Sequence, residues 1–141
     1  MRKPLTAAFV ATGLLASLAG APLADDDLVR VELNKLEDKE GSCRVHLVLE
    51  NATADSFEGY KLDLVLFGPD GIIARRLAVD VAPLRARKKS VKLFDVDGLA
   101  CSGIGTVLLN DVLGCRSGAA ERADCVDSLA VSSRATAGLT K

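Results

Sequence analysis

The sequence predicts a small all-β domain, and three observations support this fold class. Apolar residues recur mostly at every second position, which is the periodicity of a half-buried strand. Turn-forming residues separate these segments at intervals of about 8–15 residues, as in sandwich folds. The chain contains four cysteines, an even number that is typical of a disulfide framework in an exported protein. About seven short strands are expected, and together they indicate an immunoglobulin-like antiparallel β-sandwich.

The first 24 residues have the pattern of a secretory signal peptide. Positive charge at Arg2-Lys3 precedes an uncharged apolar stretch, 5–18, and small residues follow up to Ala24. Cleavage is expected after Ala24, with Ala19 as the alternative position. An uncleaved membrane anchor is the other interpretation, but the apolar stretch is shorter than the ~20 residues that a membrane span requires.

The remaining residues, 25–141, are predicted to form one disulfide-stapled sandwich domain. Loss of Arg2 and Lys3 with the signal peptide would change the formal net charge from −1 to −3. A weakly acidic domain is not expected to bind nucleic acid or an anionic membrane surface. We therefore expect no nucleic-acid partner and no stable membrane span after cleavage, and the oligomeric state stays open.

The strand positions follow from the alternation of apolar and polar residues. The third strand is the clearest, with Tyr60, Leu62, Leu64 and Leu66 on one face, and it ends at the turn sequence 68–71. The strands are expected at about 28–33, 45–50, 60–67, 73–81, 91–93, 104–113 and 126–131. A charged segment, 37–41, should turn the chain, and a short helical turn is expected around 119–123.

The strand order also predicts how the cysteines pair. In an up-and-down order, Cys43 and Cys101 precede strands that run in the same direction, so both should lie at one end of the sandwich. Cys115 and Cys125 should face each other across the mouth of a hairpin formed by the sixth and seventh strands. Of three connectivities, we favour Cys43–Cys101 with Cys115–Cys125. A zinc site is the alternative, but it requires close cysteine pairs that this chain lacks.

The sequence contains no set of residues that predicts catalysis. His46 is the single histidine, and strand alternation places it on the solvent face without a nucleophile motif. The glycines of 103–105 precede a strand rather than a helix, so we interpret them as close backbone packing beside Cys101. The run 95–98 lacks the distal ligands of a calcium loop and is interpreted as a turn. Residues 51–53 match a glycosylation acceptor and would lie in a loop. We expect no enzyme activity, cofactor or metal.

Basic residues are concentrated on the predicted fourth and fifth strands and their connection. Folded as a hairpin, these strands would place positive charge at one edge of an acidic domain, where an acidic protein partner could dock. The competing interpretation is that the charges prevent edge-to-edge aggregation. The candidate partner-binding residues are Arg75, Arg76, Arg85, Arg87, Lys88, Lys89 and Lys92.

Several segments together resemble a known family. They are residues 31–36, 60–67, 70–71, 75–79, 94–95, 101–105 and 109–112. Together these segments resemble a family of short, uncharacterised exported bacterial proteins often labelled Tat pathway signal sequence domain protein. The resemblance spans most of 25–141 and implies periplasmic or secreted residence, but it brings no activity, cofactor or catalytic residue. Because this chain has Arg2-Lys3 in place of a twin arginine, Sec and Tat export both stay open.

Two functions are compatible with these patterns. The leading hypothesis is a non-catalytic periplasmic or secreted interaction module that binds an acidic partner of the cell envelope through the basic residues or an exposed sheet edge. The alternative is a protein that binds a small ligand or metal, with a pocket at one end of the sandwich near Tyr60 or His46.

Overall fold

The computed structural model describes residues 28–141, so the predicted signal peptide, 1–24, lies outside the described residues. Nine strands and one 3-10 turn, Cys101–Gly103, make up this part of the chain. The strands are β1 (Val29–Lys39), β2 (Ser42–Asn51), β3 (Gly59–Phe67), β4 (Ile73–Asp80), β5 (Lys88–Asp97), β6 (Thr106–Ser117), β7 (Ala120–Glu121), β8 (Leu129–Ser133) and β9 (Gly138–Thr140). Within residues 28–141, no helical segment has the length and hydropathy that crossing a membrane requires.

The strands form two sheets that pack face to face, which confirms the all-β sandwich. The first sheet has the order β5-β2-β1-β8, and the second has the order β4-β3-β6-β7 with β9 also paired to β6. The sheets are mixed rather than purely antiparallel, because β8 pairs with β1 and β9 pairs with β6 in parallel. The number of strands is nine rather than seven, since the short strands β7 and β9 were not predicted, and both pair with β6 in the second sheet.

The inner faces carry the alternating apolar residues that the sequence predicts. Tyr60, Leu62, Leu64 and Leu66 of β3 are all buried, and they pack against leucines of the opposite sheet such as Leu47. Burying a leucine side chain contributes about 1.5–3 kcal/mol, so these layers supply much of the stability of the fold. A β-bulge between Leu33 and Lys35 shifts the register of β1.

Two of the predicted turns have the expected backbone geometry. At the β3–β4 connection, the Gly68 amide donates to the Ile72 carbonyl, 2.8 Å away, and Gly71 has φ +79°. Of the turn predicted at 95–98, residues 95–97 belong instead to β5, and only Gly98, with φ +71°, lies in the turn. A positive φ is unfavourable for residues with a Cβ, which explains why glycine occupies both positions. The predicted turn at 37–41 is shorter than expected, because β1 continues to Lys39.

The helical turn expected at 119–123 is wrong, and so is the hairpin expected between the sixth and seventh strands. β6 continues to Ser117, the chain reverses at Gly118, where φ is +60°, and β7 pairs back onto β6. The chain then crosses to the other sheet, where β8 joins β1. Local alternation does not encode that crossing, because a strand of either sheet buries one face.

The two disulfides are Cys43–Cys101 and Cys115–Cys125, the pairing that the sequence favours. Because β5 runs antiparallel to β2, the turn that follows β5 brings Cys101 beside Cys43 at the start of β2. Cys125 lies in the β7–β8 connection and binds Cys115 of β6. The second bridge therefore ties this connection to the sheet rather than closing a hairpin. Two disulfides indicate an oxidising environment.

Candidate interaction surface and end cavity

The seven candidate basic residues do not form the single cluster that a hairpin would create. β4 and β5 are edge strands of different sheets, so the predicted β4–β5 hairpin is wrong. Arg75 of β4 reaches the carbonyl of Gly98, beyond the end of β5, at 3.5 Å. Lys88, at the start of β5, is ten residues from Gly98, or about 30 Å along an extended strand. Arg75 and Arg76 are therefore remote from the other cations.

Arg76 is held on the outer face of the second sheet by a buried carboxylate. Its Nε and Nη2 atoms donate to the two carboxylate oxygens of Asp63 at 2.9 and 2.8 Å, and the Asn110 amide donates to the same carboxylate at 2.7 Å. The hydrogen bond from Arg76, then that from Asn110, lowers the pKa of Asp63. Because this guanidinium already has an ionised partner, it contributes little to an acidic docking surface.

The remaining cations form a basic segment, defined here as Arg85, Arg87, Lys88 and Lys89, which leads into β5. All four side chains are exposed. Arg87 has φ 56°, an uncommon value for a residue with a Cβ. Its backbone amide donates to the Thr53 carbonyl at 3.2 Å, and its guanidinium donates to the Ala52 carbonyl. These bonds hold the segment against the loop that follows β2.

Arg85 and Lys88 have no ion-pair partner among residues 28–141, whereas Lys89 lies 3.8 Å from Glu50. The basic segment therefore presents cations that the described part of the chain does not fully neutralise. Exposed charges of this kind attract an oppositely charged partner over roughly a Debye length, about 8 Å at physiological salt.

β5 has an unusual distribution of side chains between its two faces. Val91 and Leu93 lie on the outer face and are 64% and 48% exposed, although their residue types favour burial. Lys92 lies between them on the inward face, opposite Leu47 of β2. An inward-pointing charge on an edge strand is a recognised device against unwanted strand pairing.

The backbone of β5 has a free hydrogen-bonding edge, since β5 pairs only with β2 among the described strands. The Gly98 N–H donates to the carbonyl of Gly41, which lies directly opposite, at 2.8 Å, so Gly98 and Gly41 are a hydrogen-bonded pair of this antiparallel ladder. Even-numbered residues of β5 consequently bond to β2, and odd-numbered residues direct their N–H and C=O groups away from it. The residues with free backbone groups include Lys89, Val91, Leu93 and Asp95.

A cavity of about 190 Å³ lies at the end of the sandwich where the β2–β3 and β7–β8 connections meet. Asn51 builds the first of these loops. It is 1% exposed, and its side-chain amide donates to the carbonyls of Asp55 and Leu84 at 2.8 and 3.1 Å. Its side-chain oxygen accepts from the backbone and hydroxyl of Thr53. Asn51 therefore has a structural role, and its burial is incompatible with carrying a glycan in the folded protein.

The walls of the cavity combine apolar and polar groups. Phe57 and Tyr60 pack edge to face with ring centroids 5.3 Å apart, and the guanidinium carbon of Arg122 lies 5.8 Å from the centre of the Phe57 ring. The residues lining the cavity are Val29, Thr53, Ala54, Asp55, Phe57, Tyr60, Arg122, Cys125 and Ser128. Tyr60 is the residue near which the sequence placed a candidate pocket, whereas Arg122 of the β7–β8 connection gave no sequence signal.

The remaining sequence candidates have local structural partners. His46 lies on the outer face of the first sheet, and its Nε2 atom is 2.9 Å from a carboxylate oxygen of Glu37. Hydrogen bonds from Lys39 and then His46 lower the pKa of Glu37 to about 2. Asp95 accepts two hydrogen bonds from Arg44, at 2.7 and 2.9 Å. Across residues 28–141, no three His, Cys, Asp or Glu side chains are grouped as metal ligands would be.

Close backbone packing occurs at Gly105, but its partner is the β3–β4 turn rather than the neighbourhood of Cys101 that the sequence suggested. A Cβ on Gly105 would lie 2.9 Å from the carbonyl oxygen of Gly68 and 3.0 Å from the backbone of Pro69. The Gly105 amide also donates to the Phe67 carbonyl at 2.8 Å. This backbone contact connects the start of β6 to the β3–β4 turn.

Compared with models of protein families, with curated proteins and with solved structures, the chain shows no match to any of the three.

Proposed function

We propose that this protein is a non-catalytic accessory module of the periplasm or the extracellular space, and that it binds an extended acidic segment of a partner protein along β5. The two disulfides, the predicted signal peptide at 1–24 and the resemblance to exported bacterial proteins support residence outside the reducing cytosol. Addition of a strand to a free sheet edge is a common mode of peptide recognition.

The observation that carries the proposal is the placement of charge on β5. Cations lie along its first half, at Lys88, Lys89 and Lys92, and the exposed Val91 and Leu93 on either side of Lys92 provide apolar contacts. An added acidic strand would satisfy the free backbone groups of the odd-numbered residues and neutralise these cations.

A second copy of this chain is the competing occupant. In the antiparallel self-pairing that matches Val91 with Leu93, Lys92 of one copy would lie directly opposite Lys92 of the other, and like charges at directly opposed positions destabilise a strand pair. The same register would place Lys89 of each copy opposite Asp95 of the other, but Asp95 already accepts two hydrogen bonds from Arg44. An acidic partner strand avoids the contact between lysines and places a carboxylate opposite Lys92.

A peptide titration tests the proposal. The probe is a fluorescently labelled ten-residue peptide that alternates valine and glutamate, and the control peptide alternates valine and lysine. We expect the glutamate peptide alone to raise the fluorescence anisotropy saturably, with an affinity that falls as salt increases. Equal binding of both peptides, or of neither, would contradict the proposal.

Two variants locate the binding to β5. Lys88→Glu combined with Lys92→Glu should weaken binding of the glutamate peptide by about tenfold or more, because like charges replace opposite charges. Lys61→Glu, at an exposed position on β3 of the other sheet, is the control and should change the affinity little. Size-exclusion chromatography with light scattering would report a dimer if the occupant of β5 were a second copy, which would overturn the choice of partner.

Leu93→Pro tests the backbone component separately. The Leu93 N–H lies on the free edge, so proline removes a donor to the added strand without removing a bond to β2. We expect loss of peptide binding with an unchanged circular dichroism spectrum. Retention of full affinity in this variant would show that the contact is purely electrostatic and that no strand is added.

A further inference from the structure

The end cavity contains a buried hydroxyl group that the rest of the described chain does not use. Tyr60 is 1% exposed, and its hydroxyl makes no hydrogen bond to any residue of 28–141. Every fully buried side-chain nitrogen or oxygen in this part of the chain has a partner. The Tyr60 hydroxyl must therefore reach the open space of the cavity, where it can donate one hydrogen bond and accept others.

The other polar groups around the cavity are already engaged. The Thr53 hydroxyl donates to the side-chain oxygen of Asn51 at 2.7 Å, and the Ser128 hydroxyl donates to the Asp124 carbonyl at 2.8 Å. Of the three hydroxyl groups that line the cavity, the Tyr60 hydroxyl is therefore the one left for a ligand, and the apolar side chains of Val29 and Phe57 line the same cavity.

Charge at the mouth determines which ligands can enter. Arg122 is the cation of the cavity, and it is shared by two carboxylates, Asp124 at 3.0 Å and Asp55 at 3.3 Å. One guanidinium between two carboxylates gives this region a negative formal charge. An anionic ligand would have to compete with both carboxylates for Arg122, so the site disfavours anions.

The volume limits the size of the ligand. A cavity of about 150 Å³ is large enough for benzene, and ligands of drug size need about 300 Å³ or more. The observed volume of about 190 Å³ therefore fits one six-membered ring with a small substituent. We propose that the end cavity binds a small neutral monocyclic molecule that carries one hydrogen-bond acceptor, and that this acceptor binds the Tyr60 hydroxyl.

The composition of the chain provides a direct assay. The protein has one tyrosine and no tryptophan, so its intrinsic fluorescence reports on Tyr60 alone. The probes are four cyclohexane derivatives that differ only in their substituent: cyclohexanol, methylcyclohexane, cyclohexylamine and cyclohexanecarboxylate. We expect cyclohexanol to change the fluorescence saturably at the lowest concentration and the carboxylate to have no effect. Tighter binding of cyclohexylamine, which is cationic at neutral pH, would show that the site selects a cation and would contradict the proposal. A cavity that holds only water would give no saturable change with any probe, and that result would overturn the proposal.

Tyr60→Phe separates a hydrogen bond from a general effect on the fold. Because this variant lacks the fluorophore, the shift of the Val29 methyl resonances in an NMR titration replaces the fluorescence signal. The variant should bind cyclohexanol about five- to tenfold more weakly, the usual effect of one net hydrogen bond, and should bind methylcyclohexane as the original protein does. Equal losses for both probes would indicate that the hydroxyl has a structural role only. Tighter binding of the carboxylate than of cyclohexanol would also contradict the proposal.

Discussion

Removing the two disulfides separately should destabilise the domain by different amounts, because they close loops of very different length. Cys43–Cys101 spans 58 residues and Cys115–Cys125 spans 10. On the chain-entropy account, a cross-link of the longer span contributes about 4 kcal/mol and one of the shorter span about 3 kcal/mol. For a domain whose total stability is expected to be about 5–15 kcal/mol, either loss is a large fraction.

Double alanine variants make this comparison. Cys43, Cys115 and Cys125 are buried and Cys101 is half-buried, so replacement by alanine has no greater packing cost in the long-span pair, and a larger loss of stability in that pair reports on loop closure. We expect Cys43→Ala with Cys101→Ala to lose about 1 kcal/mol more than Cys115→Ala with Cys125→Ala.

The free energy of unfolding would be measured by urea titration, followed by far-ultraviolet circular dichroism and by Tyr60 fluorescence. Agreement of the two signals would establish two-state unfolding. The original protein unfolded with and without a reductant provides the control for loss of both bridges. If the short-span variant proved the less stable by more than about 1 kcal/mol, loop length would not be the source of the stabilisation.

Three further predictions concern single residues. Gly105→Ala should cost about 1–3 kcal/mol of stability, because the added Cβ would meet rigid backbone. Gly138→Ala should be neutral or slightly stabilising, since no atom lies within 4 Å of its added Cβ. Similar urea midpoints for the two variants would contradict this prediction. The hydrogen bond from Arg76 lowers the pKa of Asp63. The ionised carboxylate therefore stabilises the fold at pH values above the pKa of aspartate in the unfolded chain, about 3.9, and this contribution is lost as the pH falls below that value. Asp63→Asn should be less stable than the original protein at pH 6, and the difference should shrink towards pH 3. Burial raises the pKa of Tyr60 in the folded protein. The free energy of unfolding should therefore fall by up to about 1.4 kcal/mol per pH unit above the pKa of tyrosine in the unfolded chain, about 10. Tyrosinate absorbance that appeared near pH 10 without unfolding would contradict this prediction.

Strands β1 to β6 could be located from the sequence because the alternation of apolar and polar residues within each strand follows its alternation of buried and exposed positions. Leu62, Leu64 and Leu66 alternate with partly polar neighbours, and glycine marks the reversals at 71 and 98. The same local rule failed after Gly118. β7 is two residues long and β9 is three, and such segments are too short for periodicity to be visible.

The sequence predicted only part of the candidate interaction surface, because the rest depends on which sheet each strand joins. The basic segment is contiguous in sequence, so its position beside β5 was predictable. The separation of Arg75 and Arg76 was not, because it depends on β4 and β5 lying in different sheets. Alternation alone also left open which face of β5 is inward, since Lys92 and its apolar neighbours fit either assignment until β2 sets the register.

The sequence by itself determined the fold class, because period-two burial and turn chemistry act between near neighbours. It favoured the two observed cysteine pairs, although the hairpin expected to bring Cys115 to Cys125 is absent from residues 28–141. Tertiary structure decided which sheet each strand joins, that Lys92 points inward on a free edge, and that the Tyr60 hydroxyl faces a cavity without a protein partner. These features depend on contacts between residues far apart in the chain, and burial contributes similar free energy whichever sheet a strand completes. The pairing register of β5 with β2 decides the orientation of Lys92, and the contact between the β2–β3 and β7–β8 connections forms the cavity beside Tyr60. Neither can be read from the local sequence pattern.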